Sequence, residues 1–148
     1  MFCGARSSMS TNIPPWFEQA VSTPFSTHRI DVQGCDIVYQ QWNKDSDKPG
    51  LLLIHGNGAH AGWWDFIAPA LMDRFQVAAL NLSGMGDSGH RQRYTPQLLA
   101  AEVMSVCEAA GFNQSPLNKP LLLGHSFGGR MAFYTLKSYP DKIAGIIM

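Results

Sequence analysis

The run Pro120-Leu121-Leu122-Leu123-Gly124-His125-Ser126-Phe127-Gly128-Gly129 decides how this chain folds. Three leucines behind a proline form a short unbroken apolar run, the pattern of a strand covered on both faces. A helical pattern follows from about Gly128 to Ser138 and halts before Pro140. A strand that turns at once into a helix forces the residue between them, Ser126, into a positive-φ conformation and lifts its side chain clear of the backbone. The residues two before and two after must then be small or their Cβ atoms collide, and Gly124 and Gly128 stand there. The new helix aims its first N–H groups and positive dipole end at the serine oxygen. Such a serine can attack a carbonyl, with the N–H of Phe127 placed to hold the resulting oxyanion. A bare G-x-S-x-G is equally a glycine-rich turn that happens to contain serine. The strand before it, the helix after it and Gly129, which permits close helix–sheet contact, favour the chemical reading.

Working outward, strand and helix patterns alternate. Leu51 to Ile54 and Gln76 to Leu80 read as buried strands, with a helical stretch from about Gly62 to Asp73 between them. Ser83 to Arg93 reads as a loop. Thr95 is a helix N-cap with Pro96 at the first helical position, Leu99, Val103, Val106 and Ala110 form one apolar face, and Gly111 stops the helix. Ile143 to Met148 begins another buried strand, and the sequence ends inside it. Before all of these, Ile30 and Val32 alternate with polar neighbours, Gln33-Gly34 marks a turn, and Ile37-Val38-Tyr39 resumes a strand, which is a hairpin signal. Residues 1–25 read as a loosely ordered arm with one short helical turn at Trp16 to Ala20, opened by Pro14 and Pro15. The expected architecture of residues 26–148 is therefore α/β: a mostly parallel sheet with helices on both faces and an antiparallel hairpin at its start.

Ligands in such sheets bind where loops leave the carboxyl ends of the strands. After Ile54 comes His55-Gly56-Asn57-Gly58. A second oxyanion donor must come from a neighbouring strand's loop, with backbone free to approach the substrate. Glycines on both sides of Asn57 allow that, so its N–H is assigned the role; one such donor is worth about 2.7–4 kcal/mol in the transition state. His55 is read as a satisfied structural histidine that fixes the loop with Gly56. Trp63 and Trp64 either wall the pocket or pack the following helix.

The composition narrows the alternatives. Of 148 residues 45% are hydrophobic, and 11 basic side chains cancel 11 acidic ones. This excludes wholesale disorder and gives no basic field to attract nucleic acid. No apolar stretch approaches the roughly 20 residues of a membrane helix. Cys3, Cys35 and Cys107 are odd in number and widely spaced, which suits buried or free thiols and neither a disulfide framework nor a metal site. Met1 to Ser10 lacks the apolar core of a secretory signal, so a cytoplasmic location is expected. Gly84-Met85-Gly86-Asp87-Ser88-Gly89 matches a dinucleotide-binding fingerprint, but the next helix cap comes only at Thr95, too late for a helix N-terminus to meet a pyrophosphate. No organic cofactor is expected.

Together, His55 to Gly58 with Trp63-Trp64, Asn81 to Ser88 and Gly124 to Gly129 resemble the oxyanion loop, the glycine-rich turn and the nucleophile elbow of the α/β-hydrolase superfamily, in that order over about residues 27–148. Serine at the elbow resembles the esterase, lipase, thioesterase and carbon–carbon hydrolase branches, and disfavours the epoxide hydrolases and haloalkane dehalogenases, which use aspartate there. Asn81 departs from the aspartate common in the family, which puts the tightness of that turn in question. The resemblance implies a small-molecule ester, thioester or related acyl substrate, water as second substrate and no metal. It also implies a triad in the order Ser, acid, His. Only Asp141 and no histidine follow Ser126, and Asp141 lies roughly 20 Å along the helix at 1.5 Å per residue. His28, His60 and His90 occupy arm or loop positions. The acid and histidine are thus expected beyond residue 148, with the chain a C-terminally incomplete hydrolase domain. The competing expectations are a catalytically incomplete fragment that binds a ligand or protein through its open sheet edge, and a cofactor-free non-hydrolytic reaction on the same scaffold.

Overall fold

The computed structural model describes residues 12–112 and 119–148; residues 1–11 of the expected N-terminal arm, with Cys3, lie outside them. A short helix α1 (Pro15–Val21) precedes the hairpin of β1 (Ser26–Asp31) and β2 (Asp36–Gln41), in which Ile30 faces Ile37. Its turn falls at Gln33-Gly34, both with positive φ, and Val32 and Cys35 exchange backbone hydrogen bonds across it. That left-handed pair matches the right-handed twist of the strands it joins. Then come β3 (Gly50–Ile54), α2 (Ala68–Leu71), β4 (Gln76–Leu80), α3 (Pro96–Ala109), β5 (Leu121–Gly124), α4 (Phe127–Ser138) and β6 (Gly145–Ile147). The sheet order is β1-β2-β4-β3-β5-β6. β3, β4, β5 and β6 run parallel, and β2 pairs antiparallel with β4. The expected architecture is the observed one.

Both faces are covered because the side chains of β3 and β4 alternate between two cores. Leu52, Ile54, Ala78 and Leu80 join Leu99, Val103, Val106 and Cys107 of α3 and Met131 and Ala132 of α4. Leu51, Leu53, Val77 and Ala79 pack on the other side with Trp42, Ala61, Trp64 and Ala68. Each such aliphatic side chain contributes about 1.5–3 kcal/mol on full burial. At the head of α3, the Thr95 hydroxyl accepts from the Leu98 N–H, and Gly111 ends the helix region at φ 81°. Cys35 and Cys107 are both buried free thiols.

Two elements differ from the sequence reading. The single helix expected from Gly62 to Asp73 is a 3₁₀ turn at Ala61–Trp64 followed by the one-turn α2. Pro69 is the reason: it has no N–H to give the Asp65 carbonyl and its ring would clash there in a continuous helix, so the helix restarts around it. The strand expected from Ile143 to Met148 pairs only over Gly145–Ile147, and it is not buried. It forms the sheet edge, with Ile147 47% and Met148 77% exposed.

Candidate active site

Ser126 sits at the bend from β5 into α4 with φ 54° and ψ −114°, solvent-exposed, one of three non-glycine residues at positive φ among those described. The bend is pinned on both sides: the His125 N–H donates to the Ile54 carbonyl at 3.0 Å, and the Gly128 N–H donates to the His125 carbonyl at 2.9 Å. The glycines are required by contact. A Cβ at Gly124 would lie 2.4 Å from the backbone of Gly128 and Gly129. A Cβ at Gly128 would lie 2.2 Å from the Ile54 carbonyl oxygen and 2.6 Å from that of His55. The collision expected between the flanks is therefore real for Gly124, while Gly128 is held small mainly by the end of β3. Gly129 is less constrained, with 3.2 Å to the nearest atom. As the first helical residue, Phe127 has an N–H with no partner among the described residues, the normal condition of a helix start.

The loop after β3 closes a turn in which the Ala59 N–H donates to the Gly56 carbonyl at 3.2 Å and Gly58 takes φ 69°. Asn57 stands exposed at its tip, and its N–H also has no partner among the described residues. His55 is fully buried beneath. Its Nδ1 lies 2.7 Å from the Gly56 carbonyl, and its Nε2 accepts from the Leu82 N–H at 3.2 Å. One nitrogen must therefore carry the hydrogen and the other the lone pair, which fixes a neutral Nδ1–H tautomer. Burial lowers its pKa below the ordinary histidine value in the same sense. His55 thus bridges the loop after β3 and the loop after β4 through its two ring nitrogens. Gly56 approaches His125 closely, and a Cβ there would sit 3.0 Å from the His125 Nδ1.

Gly56, Asn57, Ala59, Trp63, His125 and Ser126 line a cleft of about 220 Å³. Trp63 is half-exposed and stacks on His125, ring centroids 5.8 Å apart and planes 20° from parallel. Trp64 is buried in the core. The two tryptophans thus divide the roles left open from sequence: Trp63 walls the cleft and Trp64 packs. On its other side Ser126 borders a larger, mostly apolar cleft of about 620 Å³ that includes Pro96, Met131, Phe133 and Tyr134.

The loop after β4 braces this site, mostly through contacts between residues distant in sequence. Asn81 is buried, and its Oδ1 accepts from the Ala61 N–H at 2.6 Å. Gly86 makes room for it, since a Cβ there would meet the Asn81 side chain at 2.6 Å. The Ser88 hydroxyl donates to the Asn81 carbonyl and accepts from the Val38 N–H. Asparagine therefore leaves this turn well tied. Glu102 of α3, fully buried, pairs with Arg91 at 2.8 Å and accepts from the Ser83 N–H at 2.9 Å. Arg91 in turn donates to the carbonyls of Val32 and Gln33 in the hairpin turn. The signal for Glu102 was present: it sits on the same stripe as Leu99, Val103 and Val106, where a lone carboxylate needs a partner.

None of the remaining histidines is hydrogen-bonded to Ser126 among the described residues. His28 contacts the Ser26 hydroxyl at 2.8 Å and stacks on Tyr39. His60 accepts from the Gly62 N–H and so caps the 3₁₀ turn. His90 is exposed in the loop after β4, and Asp141 is exposed beyond α4. Among the described residues, the Ser126 hydroxyl has no hydrogen-bond partner.

A mostly parallel sheet, a glycine-flanked serine at positive φ and a facing glycine-rich loop define an α/β-hydrolase scaffold. The family model described as alpha/beta hydrolase fold matches residues 49–148, and the chain belongs to that family. It is 30% identical to a monoacylglycerol lipase of Mycolicibacterium smegmatis over 136 residues, covering 86% of this chain and 47% of the relative. It is 28% identical to human epoxide hydrolase 4 over 104 residues, covering 68% of this chain and 27% of the relative. A crystal structure of a membrane phospholipase A, described as a bacterial virulence factor, superposes with a TM-score of 0.73 at 30% identity, covering 88% of this chain and 40% of that one. The chain thus spans about a quarter to a half of the length of these relatives. Among the described residues no helix is long and apolar enough to cross a membrane.

Proposed function

We propose that this chain carries the nucleophile and oxyanion hole of a serine hydrolase acting on a small-molecule ester, thioester or related acyl group. The observation that carries the reading is Ser126 itself, exposed at φ 54° and bordering two clefts. Its Oγ attacks the acyl carbonyl and gives its proton to a base. The tetrahedral oxyanion is held by the N–H groups of Phe127 and Asn57. The base then protonates the departing alcohol or thiol, and water cleaves the acyl-enzyme in a second, equivalent cycle. The acid and the histidine base come from sequence outside residues 1–148, consistent with the relatives' greater length and with the placement of the histidines described above. Residues 26–148 are then the leading part of the hydrolase domain and residues 1–25 an arm. No metal or organic cofactor is needed, zero formal net charge argues against a nucleic-acid partner, and two buried thiols suit a reducing cytoplasm.

Relatives named as lipase and methylesterase support ester chemistry. Relatives named as epoxide hydrolases share the scaffold, and the serine at 126 argues for acyl transfer here. In the whole protein, a fluorophosphonate probe attaches to the peptide containing Ser126, and the adduct disappears in Ser126→Ala. An unlabelled Ser126 in protein that turns over a p-nitrophenyl ester overturns the reading. A second reading is a non-catalytic binding module, drawing on the absence, among the described residues, of any histidine hydrogen-bonded to Ser126. Ester turnover that is lost in Ser126→Ala excludes it.

A further inference from the structure

Three consecutive residues after β4 are each tied down by a different partner. The Asn81 side chain holds the Ala61 N–H, the Leu82 N–H is held by His55 Nε2, and the Ser83 N–H is held by Glu102 Oε2. Through its other nitrogen His55 grips the Gly56 carbonyl, which is also the acceptor that closes the turn presenting Asn57. The far end of this chain of contacts is an ion pair almost out of solvent: the side chains of Arg91 and Glu102 are 7% and 0% exposed, 2.8 Å apart. Glu102 spends one oxygen on Arg91 and the other on Ser83. Arg91 uses its remaining nitrogens on the hairpin turn at Val32 and Gln33.

Burying such a pair is poor value as stabilisation alone, because desolvation offsets the attraction and an apolar pair of similar volume does as well or better. What the pair supplies is a fixed point. An apolar replacement fills the same volume but cannot hold the Ser83 N–H, and so removes one of the bonds that fix the Leu82–Ser83 segment against His55. We infer that Arg91 and Glu102 are positioning residues of the hydrolytic site: they anchor Leu82–Ser83, hence His55, hence the Gly56–Ala59 turn whose Asn57 N–H must meet the oxyanion. The inference rests on the proposed serine hydrolase reading. It adds to that reading a control on reaction rate located in the loop and helix behind the site, with no contact to substrate. A misplacement of about 1 Å at a reacting group costs on the order of a hundredfold in rate.

The test is the double variant Arg91→Met/Glu102→Met in the whole enzyme, which keeps the volume and removes both charges together. Melting, p-nitrophenyl ester kinetics and the second-order rate of fluorophosphonate labelling are measured side by side. A positioning role predicts a folded protein whose melting temperature falls only by the few degrees that an unpaired Ser83 N–H costs, a fall in kcat of ten- to a hundredfold at nearly unchanged KM, and a matching fall in labelling rate. A purely structural role leaves kcat and labelling unchanged in folded protein, and that result overturns the inference. Should the double variant not fold, Glu102→Gln retains an acceptor for Ser83 while losing the ion pair. It is then expected to show a smaller loss in kcat with the same split, and wild-type kinetics in it count against the inference. Failure of the underlying reading is distinguishable, because wild-type enzyme would then show no adduct at Ser126 at all.

Discussion

Replacing Gly128 by alanine adds one methyl group at the point where α4 rests on the end of β3. That methyl would stand 2.2 Å from the Ile54 carbonyl oxygen, 2.6 Å from the His55 carbonyl oxygen and 2.7 Å from the Ile54 carbonyl carbon. None of these is the flexible end of a side chain, so relief requires moving the helix itself. Restoring an ordinary contact demands a retreat of α4 by about 1 Å, against a core closed by Met131 and Ala132. Overpacking costs about 1–3 kcal/mol, and a backbone obstacle puts this case at about 3 kcal/mol. At about 2–4 °C per kcal/mol, the melting temperature falls by about 6–12 °C. Ser126 and the Phe127 N–H move with the helix, so catalysis drops by on the order of a hundredfold even below the melting point. Gly129→Ala is the internal control. Its new Cβ meets nothing closer than 3.2 Å and gains the helix propensity of alanine over glycine, about 1 kcal/mol. Calorimetry and ester kinetics on both variants decide the matter. Equal melting temperatures for the two would refute the argument that β3 sets the glycine at 128.

Trp64→Ala opens the core beside Val77 and Ala79 and is expected to cost about 3–5 kcal/mol in urea denaturation, whereas Trp63→Ala leaves stability within about 1 kcal/mol and changes ester kinetics through the cleft it walls. Ser126→Gly relieves the positive φ and raises stability by about 1 kcal/mol while abolishing hydrolysis; an unchanged denaturation midpoint would argue against strain at the bend. Burial holds the His55 pKa below the ordinary 6.5, so the unfolded chain takes up a proton there before the folded one does. The stability associated with neutral His55 is present above pH 6.5 and is lost as pH falls below it. Urea midpoints at pH 7.5 and 5.5 should therefore differ more in wild type than in His55→Asn, and parallel behaviour would contradict the buried neutral tautomer.

The features legible in the sequence are those that local stereochemistry dictates. Gly124 and Gly128 announce the bend because no other residue fits there, and the apolar run at Leu51 announces a doubly covered strand because both its faces are buried, whereas at Leu121–Leu123 the face bearing Leu121 and Leu123 is only partly covered. Thr95-Pro96 and Gly111 mark helix ends by hydrogen-bond and φ requirements that act within a few residues. Features that depend on distant partners were harder to read. Pro69 carried a local signal against one helix through Gly62 to Asp73, but the 3₁₀ turn that replaces it also depends on the His60 cap and on Asn81 reaching Ala61. The Arg91–Glu102 pair joins a loop to a helix and a hairpin turn, and no spacing rule connects them. The stacking of Trp63 on His125 likewise arises only when two strand ends are brought side by side.

The claim that Ser126 is the nucleophile is tested most directly by quenching the whole enzyme during its first turnover of p-nitrophenyl acetate and measuring the mass of the peptide that contains this residue. An acetyl group on Ser126, formed with a matching burst of p-nitrophenolate and absent from Ser126→Ala, is the predicted result. Steady hydrolysis with that peptide unmodified, or an equal burst from the alanine variant, would contradict the account.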